Sequence, residues 1–179
     1  GDSISGFPES YSLIGNGLLG VVPIPILIFA VIAVILSILL NKTAWGRSVY
    51  MFGNNPTATL FSGINTTRVV LLVYLFAALM TAVAAIIMTS RYNSAKVDIG
   101  SSYLLQSIAV AVLGGTSISG GYGKVIGVVL AVGIFQIISN GLNLLGVSSM
   151  VIDILMGTIL IGVLLINYVS AKRKQSQTA

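Results

Sequence analysis

Long apolar runs separated by short polar segments dominate the chain. The runs cover residues 22–40, 69–90, 103–113, 125–142 and 151–171. A helix of about 20 apolar residues crosses the hydrocarbon core of a bilayer, so four of the runs are long enough to cross. The third is about half that length. The pattern predicts an all-α membrane protein with about five transmembrane helices.

A glycine-rich stretch at residues 114–123 interrupts this pattern between the third and fourth runs. Irregular backbone in lipid would leave its polar groups unpaired, which is costly. We therefore expect a helix break that lies at an interface or is enclosed by protein. Two topologies remain open. The chain crosses five times, or the third segment is re-entrant and leaves four spans.

The polar segment between the first two runs, residues 41–68, contains the signals of a short helix. Asn55 is a suitable N-cap, Pro56 fits the first helical position, and Gly63 ends the turn after residues 57–62. Such a helix satisfies its own end groups and can lie on a surface. A plain connector between spans is the simpler alternative, but the capped helix favours a docking element for a partner outside the membrane.

Composition and charge fix the class and suggest an orientation. Hydrophobic residues make up 56% of the chain and charged residues 7%, against about 25% charged in soluble domains. The net charge of +5 is too dispersed to indicate nucleic acid. Basic residues mark cytoplasmic loops, so the 41–68 segment and a C-terminus carrying Lys172, Arg173 and Lys174 are predicted to be cytoplasmic. The polar residues 1–16 suit a loop on the outer side.

A polar stripe lies within the fourth run. Gln136, Ser139, Asn140 and Asn143 fall at i, i+3, i+4 and i+7, on one face of a helix. At membrane depth such a face avoids lipid. Hydrogen bonding between helices and the lining of a substrate path are both open interpretations.

Smaller features of the last two runs have structural interpretations. Gly123, Gly127 and Ala131 form a small-residue face that predicts tight helix packing. Asp153 falls in the first turn of the last run, where the helix dipole favours an anion. We interpret it as a helix start rather than as a proton carrier.

The sequence offers no catalytic constellation. It contains no cysteine and no histidine, which excludes disulfides and imidazole metal sites. The glycines before Lys124 do not have the spacing of a phosphate-binding loop. No catalytic residue, cofactor or metal site is predicted.

Several segments together resemble the ribose-type family of ABC monosaccharide permeases, in its C-terminal half. The matching segments, in order, are TAWGRSVY (43–50), GNNPTA (53–58), SGIN (62–65), LGGTSISGG (113–121) and NGLNLLG (140–146). The resemblance covers nearly all of residues 5–167. It implies that residues 1–179 are a single transmembrane domain, the C-terminal portion of a larger permease. The start without methionine fits that expectation.

The resemblance also implies a function and partners. It implies a bacterial inner-membrane importer subunit that translocates a monosaccharide delivered by an extracytoplasmic binding protein, with a second permease subunit and separate ATP-binding subunits that hydrolyse ATP. A secondary transporter or channel without an ATPase is the alternative. The implied coupling helix that contacts the ATPase comprises Asn55, Pro56, Thr57, Ala58, Leu60, Phe61, Ser62 and Gly63.

Overall fold

The computed structural model describes residues 3–148, 150–152, 154–155, 157–159, 161–163 and 165, and most of them are helical. The helices are α1 (Glu9–Asn16), α2 (Ile24–Lys42), α3 (Ala44–Asn54), α4 (Pro56–Phe61), α5 (Thr66–Tyr92), α6 (Ser101–Leu113) and α7 (Val125–Leu144). Two antiparallel pairs of two-residue strands accompany them: β1 (Ile4–Ser5) with β4 (Ser94–Ala95), and β2 (Leu18–Leu19) with β3 (Val22–Pro23).

Three helices are long and apolar enough to cross a membrane. They are α2, α5 and α7, with 19, 27 and 20 residues. At 1.5 Å per residue they measure about 28, 40 and 30 Å, against a hydrocarbon core of about 30 Å. The predicted all-α membrane protein is therefore confirmed. The helix α6 has 13 residues, about 20 Å, so the number of crossings stays a prediction.

The chain divides into two compact units, Gly1–Ser101 and Ser102–Ala179. In the first, α1 packs against the C-terminal end of α5. The Gly15 N–H donates to Ser90 Oγ at 2.8 Å, and this hydroxyl donates to the Tyr11 carbonyl at 2.5 Å. Gly15 is buried, and a Cβ there would lie 2.5 Å from the Arg91 nitrogen. The N-terminal segment, predicted as a loop, thus contains a docked helix.

A tight corner joins α2 to α3. Thr43 Oγ1 donates to the Leu39 carbonyl at 2.6 Å and accepts from the Gly46 N–H at 3.1 Å, which caps α3. A Cβ on Gly46 would collide with the carbonyl oxygens of Leu39 and Leu40. Only glycine lets α3 fold back this closely. This helix is not among the elements predicted from the sequence.

In the second unit, α6 and α7 pack around one small apolar core. Its buried members are Ala109, Val110, Ala131, Phe135 and Ile152.

Gly114, the residue after α6, lies close against α7, because a Cβ there would lie 2.6 Å from the backbone nitrogen of Val128. A Cβ on Gly127 would in turn meet the Gly114 carbonyl oxygen. This contact, with the burial of Ala131, confirms the predicted tight packing of the small-residue face.

The predicted helix break occurs between α6 and α7. Local hydrogen bonds satisfy part of the backbone there. The Thr116 N–H donates to the Ala111 carbonyl, and the Ser117 N–H donates to the Tyr122 carbonyl. Gly115 and Gly120 have positive φ angles of 85° and 89°, which glycine adopts without strain.

Three sequence predictions concern residues outside the described part of the chain. They are the Asp153 helix start, the last span beyond residue 165, and the basic cluster of Lys172, Arg173 and Lys174.

Candidate functional site

The helix α4 begins as the sequence predicts. The Asn55 side chain accepts a hydrogen bond from the Ala58 N–H at 3.0 Å, and Pro56 occupies the first helical position. This bond satisfies one of the backbone donors left free at a helix start. The Asn55 N–H also donates to the Met51 carbonyl of α3 at 3.0 Å. The cap therefore fixes α4 directly to α3.

The other end of α4 closes with a complete Schellman motif. The Gly63 N–H donates to the Leu60 carbonyl at 3.0 Å, and the Ile64 N–H donates to the Thr59 carbonyl at 3.4 Å. Gly63 has a φ angle of 78°, the left-handed conformation that this motif places just after a helix. Ser62 is the C-cap. The predicted short, doubly capped helix is thus present, as residues Pro56–Phe61.

The two faces of α4 differ sharply in exposure. Thr59 is 2% exposed, and its hydroxyl donates to the Asn55 carbonyl at 2.8 Å. Phe61 is 86% exposed and Leu60 is 57% exposed, with Thr57 and Ala58 exposed as well. Phe61 therefore makes little contact with the part of the chain that the structure describes. The helix turns this aromatic side chain outward.

Aromatic packing joins α3 and α5, the two helices that flank α4. The Trp45 and Phe76 rings lie 5.1 Å apart between centroids at a 36° tilt, within the usual range for favourable aromatic pairs. The buried Trp45 Nε1 has no hydrogen-bond partner among the described residues. On the far side of α4, Asn65 caps α5 by accepting from the Arg68 N–H at 3.0 Å. Both helices that flank α4 are therefore anchored.

The predicted polar stripe lies on an outward face of α7. Gln136, Asn140 and Asn143 are exposed, while Ser139 is half-buried. The Gln136 Nε2 donates to Asn140 Oδ1 at 3.0 Å, within the stripe itself. The face of α7 that packs on α6 instead carries Ala131 and Phe135. The structure thus groups the four residues and leaves their amides available to groups outside the described core.

Residues 1–164 match the protein family described as the permease component of the branched-chain amino acid transport system. The match covers most of the chain. The chain belongs to this permease family.

Curated relatives make the resemblance more specific. The permease chain is 45% identical over 168 residues to the ribose import permease protein of Bacillus subtilis (strain 168), covering 92% of this chain and 52% of the relative. It is 36% identical over 175 residues to the autoinducer 2 import system permease protein of Escherichia coli (strain K12), covering 97% and 53%. These relatives confirm the predicted resemblance to sugar permeases. The chain spans about half the length of both. No solved structure matches it.

Sequence reasoning identified α4 in this permease but missed its support. The helix α3 has signals that could have found it. Thr43 is a suitable N-cap, and Trp45, Val49 and Phe52 recur at i, i+4 and i+7, as in an amphipathic helix.

Proposed function

We propose that this chain forms part of the membrane-spanning permease of an ATP-driven importer in the bacterial inner membrane. A monosaccharide, delivered by an extracytoplasmic binding protein, passes along a path between two permease subunits. ATP is hydrolysed on separate partner subunits. The family match and the two relatives, named for import of ribose and of autoinducer 2, support this assignment.

The observation that carries the proposal is the outward-facing α4. We assign it as the coupling helix, with Asn55, Pro56, Thr57, Ala58, Leu60, Phe61, Ser62 and Gly63 as the ATPase-contacting residues. Phe61 enters an apolar groove of the ATPase. The side chain is 86% exposed and so contributes little to the stability of this chain, and an exposed aromatic group of this kind is typical of an interaction site. Residues 41–68 and the C-terminus are cytoplasmic in this arrangement, as the distribution of basic residues favours.

The distribution of charge favours an importer over an ion-coupled transporter. In the three long helices, charged residues occur only in the end turns: Lys42 in α2, and Arg68 and Arg91 in α5. Ion-coupled transporters characteristically place ionisable groups deep in their spans. An external source of energy, such as an ATPase acting through α4, fits these helices better.

The substitution Phe61→Asp tests the coupling assignment in the complete permease. Loss of a buried aromatic anchor costs about 2 kcal/mol or more, so we expect ATPase affinity to fall at least about 30-fold and sugar uptake to fall with it. Copurification and uptake of labelled ribose are the measurements. Val97→Asp is the matched control, since Val97 is 89% exposed beyond the other end of α5, and it should keep the ATPase bound.

The outcomes separate the candidate functions. Normal ATPase binding and uptake by the Phe61→Asp permease would refute the coupling role of α4. Uptake that proceeds without any ATPase would favour the alternative, a secondary transporter or channel.

We also propose that Gln136, Ser139, Asn140 and Asn143 line the sugar path, because amides bind hydroxyl groups well and this face is free of the α6 contact. Asn140→Leu should lower uptake at least about tenfold if one sugar hydrogen bond is lost and a partner is left unpaired. Ile137→Leu, an exposed position on the same helix, is the control. Failure of subunit assembly in Asn140→Leu would instead assign the stripe to hydrogen bonding between helices.

A further inference from the structure

A shallow, open concavity of about 550 Å³ lies beside the first turns of α5, where this helix faces the end of α3. It is lined by Phe52, Thr66, Thr67, Val70, Leu71 and Tyr74. A second concavity, of about 630 Å³, is lined by Asn65, Thr67, Arg68 and Leu71. Because the two share Thr67 and Leu71, they form one continuous surface, which we call the α5 groove.

The α5 groove is polar at one end and apolar at the other. Asn65 and Arg68 lie at the start of α5, and Tyr74 lies about 9 Å further along the helix axis. Between them the wall is formed by Val70 and Leu71. Leu71 is 61% exposed and Tyr74 is 72% exposed. The described chain therefore leaves the apolar end of the groove uncovered.

The length of α5 relates the polar and apolar ends of the groove to the layers of the bilayer. The helix has 27 residues, about 40 Å, and exceeds the hydrocarbon thickness of about 30 Å. Arg68 and Arg91 lie in its two end turns, about 34 Å apart along the axis, and charged side chains avoid the hydrocarbon core. We therefore place the first turn in the headgroup region and the turns that carry Leu71 and Tyr74 in the acyl region. The polar end of the groove faces the headgroups, and the apolar end faces the acyl chains.

The charge at the polar end selects the occupant. Arg68 is exposed, forms no ion pair with any described residue, and lies in a 41–68 segment that contains no acidic residue. The positive end of the α5 dipole points the same way. The site therefore favours an anionic group joined to a long apolar chain, and a guanidinium binds phosphate oxygens particularly well.

We propose that the α5 groove binds one anionic phospholipid. Its headgroup phosphate lies at Arg68, and an acyl chain lies along Val70 and Leu71 between Phe52 and Tyr74. The bilayer supplies this ligand wherever the face of α5 that carries the groove meets lipid. The proposal does not depend on an ATPase or on the transported solute, because it needs only the membrane-spanning α5.

Native mass spectrometry of the complete permease, titrated with phosphatidylglycerol and with phosphatidylcholine, tests the charge selectivity. The unaltered permease should retain phosphatidylglycerol more strongly. One basic residue contributes about a fivefold preference for anionic lipid. Arg68→Gln should therefore lower the preference for phosphatidylglycerol about fivefold, and Arg68→Lys should keep part of this preference. Arg91→Gln, at the exposed last turn of the same helix, is the control and should leave the preference unchanged. Equal losses in Arg68→Gln and Arg91→Gln would overturn the proposal.

A cross-linking experiment tests the occupant of the apolar end. The chain has no cysteine, so Leu71→Cys provides a single attachment site here for a photoactivatable group. A phospholipid adduct is expected, and it should be lost in the Arg68→Gln background. An adduct with another protein segment instead of lipid would overturn the proposal. Displacement of phosphatidylglycerol by glycerol phosphate alone would also overturn it, because the site would then bind only the headgroup.

Discussion

The contact between Gly114 and Gly127 makes a sharp prediction for the α6–α7 pair. A Cβ on Gly127 would collide with the Gly114 carbonyl oxygen and lie 3.1 Å from its carbonyl carbon. Ordinary contacts between carbon atoms are about 3.5–4.0 Å. Gly127→Ala therefore requires Gly114 and this turn of α7 to move apart by about 0.4–0.9 Å.

The expected cost follows from the atoms involved. Overpacking costs about 1–3 kcal/mol, and the upper part of that range applies because the clash is with backbone, which has no rotamer to change. Alanine favours the helix over glycine by about 1 kcal/mol. The net loss of stability in Gly127→Ala is then about 2 kcal/mol.

Gly133→Ala on the same helix provides the matched control. A Cβ there meets no atom within 4 Å, so only the gain in helix propensity applies. In thermal unfolding of the purified complete permease, Gly127→Ala should lower Tm by about 3 °C, taking about 2.1 cal/mol/K of unfolding entropy per residue over about twice the length of this chain. Gly133→Ala should leave Tm unchanged or raise it slightly. If the two variants unfold at the same temperature, the close contact between Gly114 and Gly127 is refuted.

Two further predictions concern the first unit. Ser90→Ala should destabilise the α1–α5 contact by about 1–3 kcal/mol, because it leaves the Gly15 N–H and the Tyr11 carbonyl without their buried partner. Faster proteolysis of α1 is the measurement, with the exposed Ser107→Ala as the control, and equal rates would contradict it. For orientation, Ser48→Cys in intact cells should resist an impermeant thiol reagent while Val97→Cys is labelled. The reverse pattern would refute a cytoplasmic location for residues 41–68.

The long spans could be predicted because their apolar runs are continuous, but their ends depend on local hydrogen bonds. The second run was assigned to residues 69–90, whereas α5 begins at Thr66 because Asn65 caps it. The first run was started at residue 22, but Val22 and Pro23 pair with Leu18 and Leu19, so α2 begins at Ile24. Hydropathy alone reveals neither the Asn65 cap nor this strand pairing.

The docked helix α1 was missed for a different reason. Its residues 9–16 lack a continuous apolar face, and its position depends on contacts more than 70 residues away, such as the hydrogen bond from Gly15 to Ser90. No local pattern predicts such a contact. The outward direction of Phe61 and of the Gln136–Asn140 pair likewise required the structure, since periodicity groups residues on a face but does not say what that face meets.

The connections on both sides of α4 bear on its proposed role as a coupling helix. On one side, the Asn55 N–H donates a hydrogen bond to the Met51 carbonyl of α3, and Gly46 of α3 packs closely against the last turn of α2. On the other side, the closing turn at Gly63 leads within three residues to the start of α5. In the coupling role that we propose, a partner that displaces Phe61 would therefore move a helix joined to its neighbours by short connections. Close packing of this kind transmits strain rather than absorbing it, so we expect movement of α4 to shift the adjoining ends of α2 and α5 together.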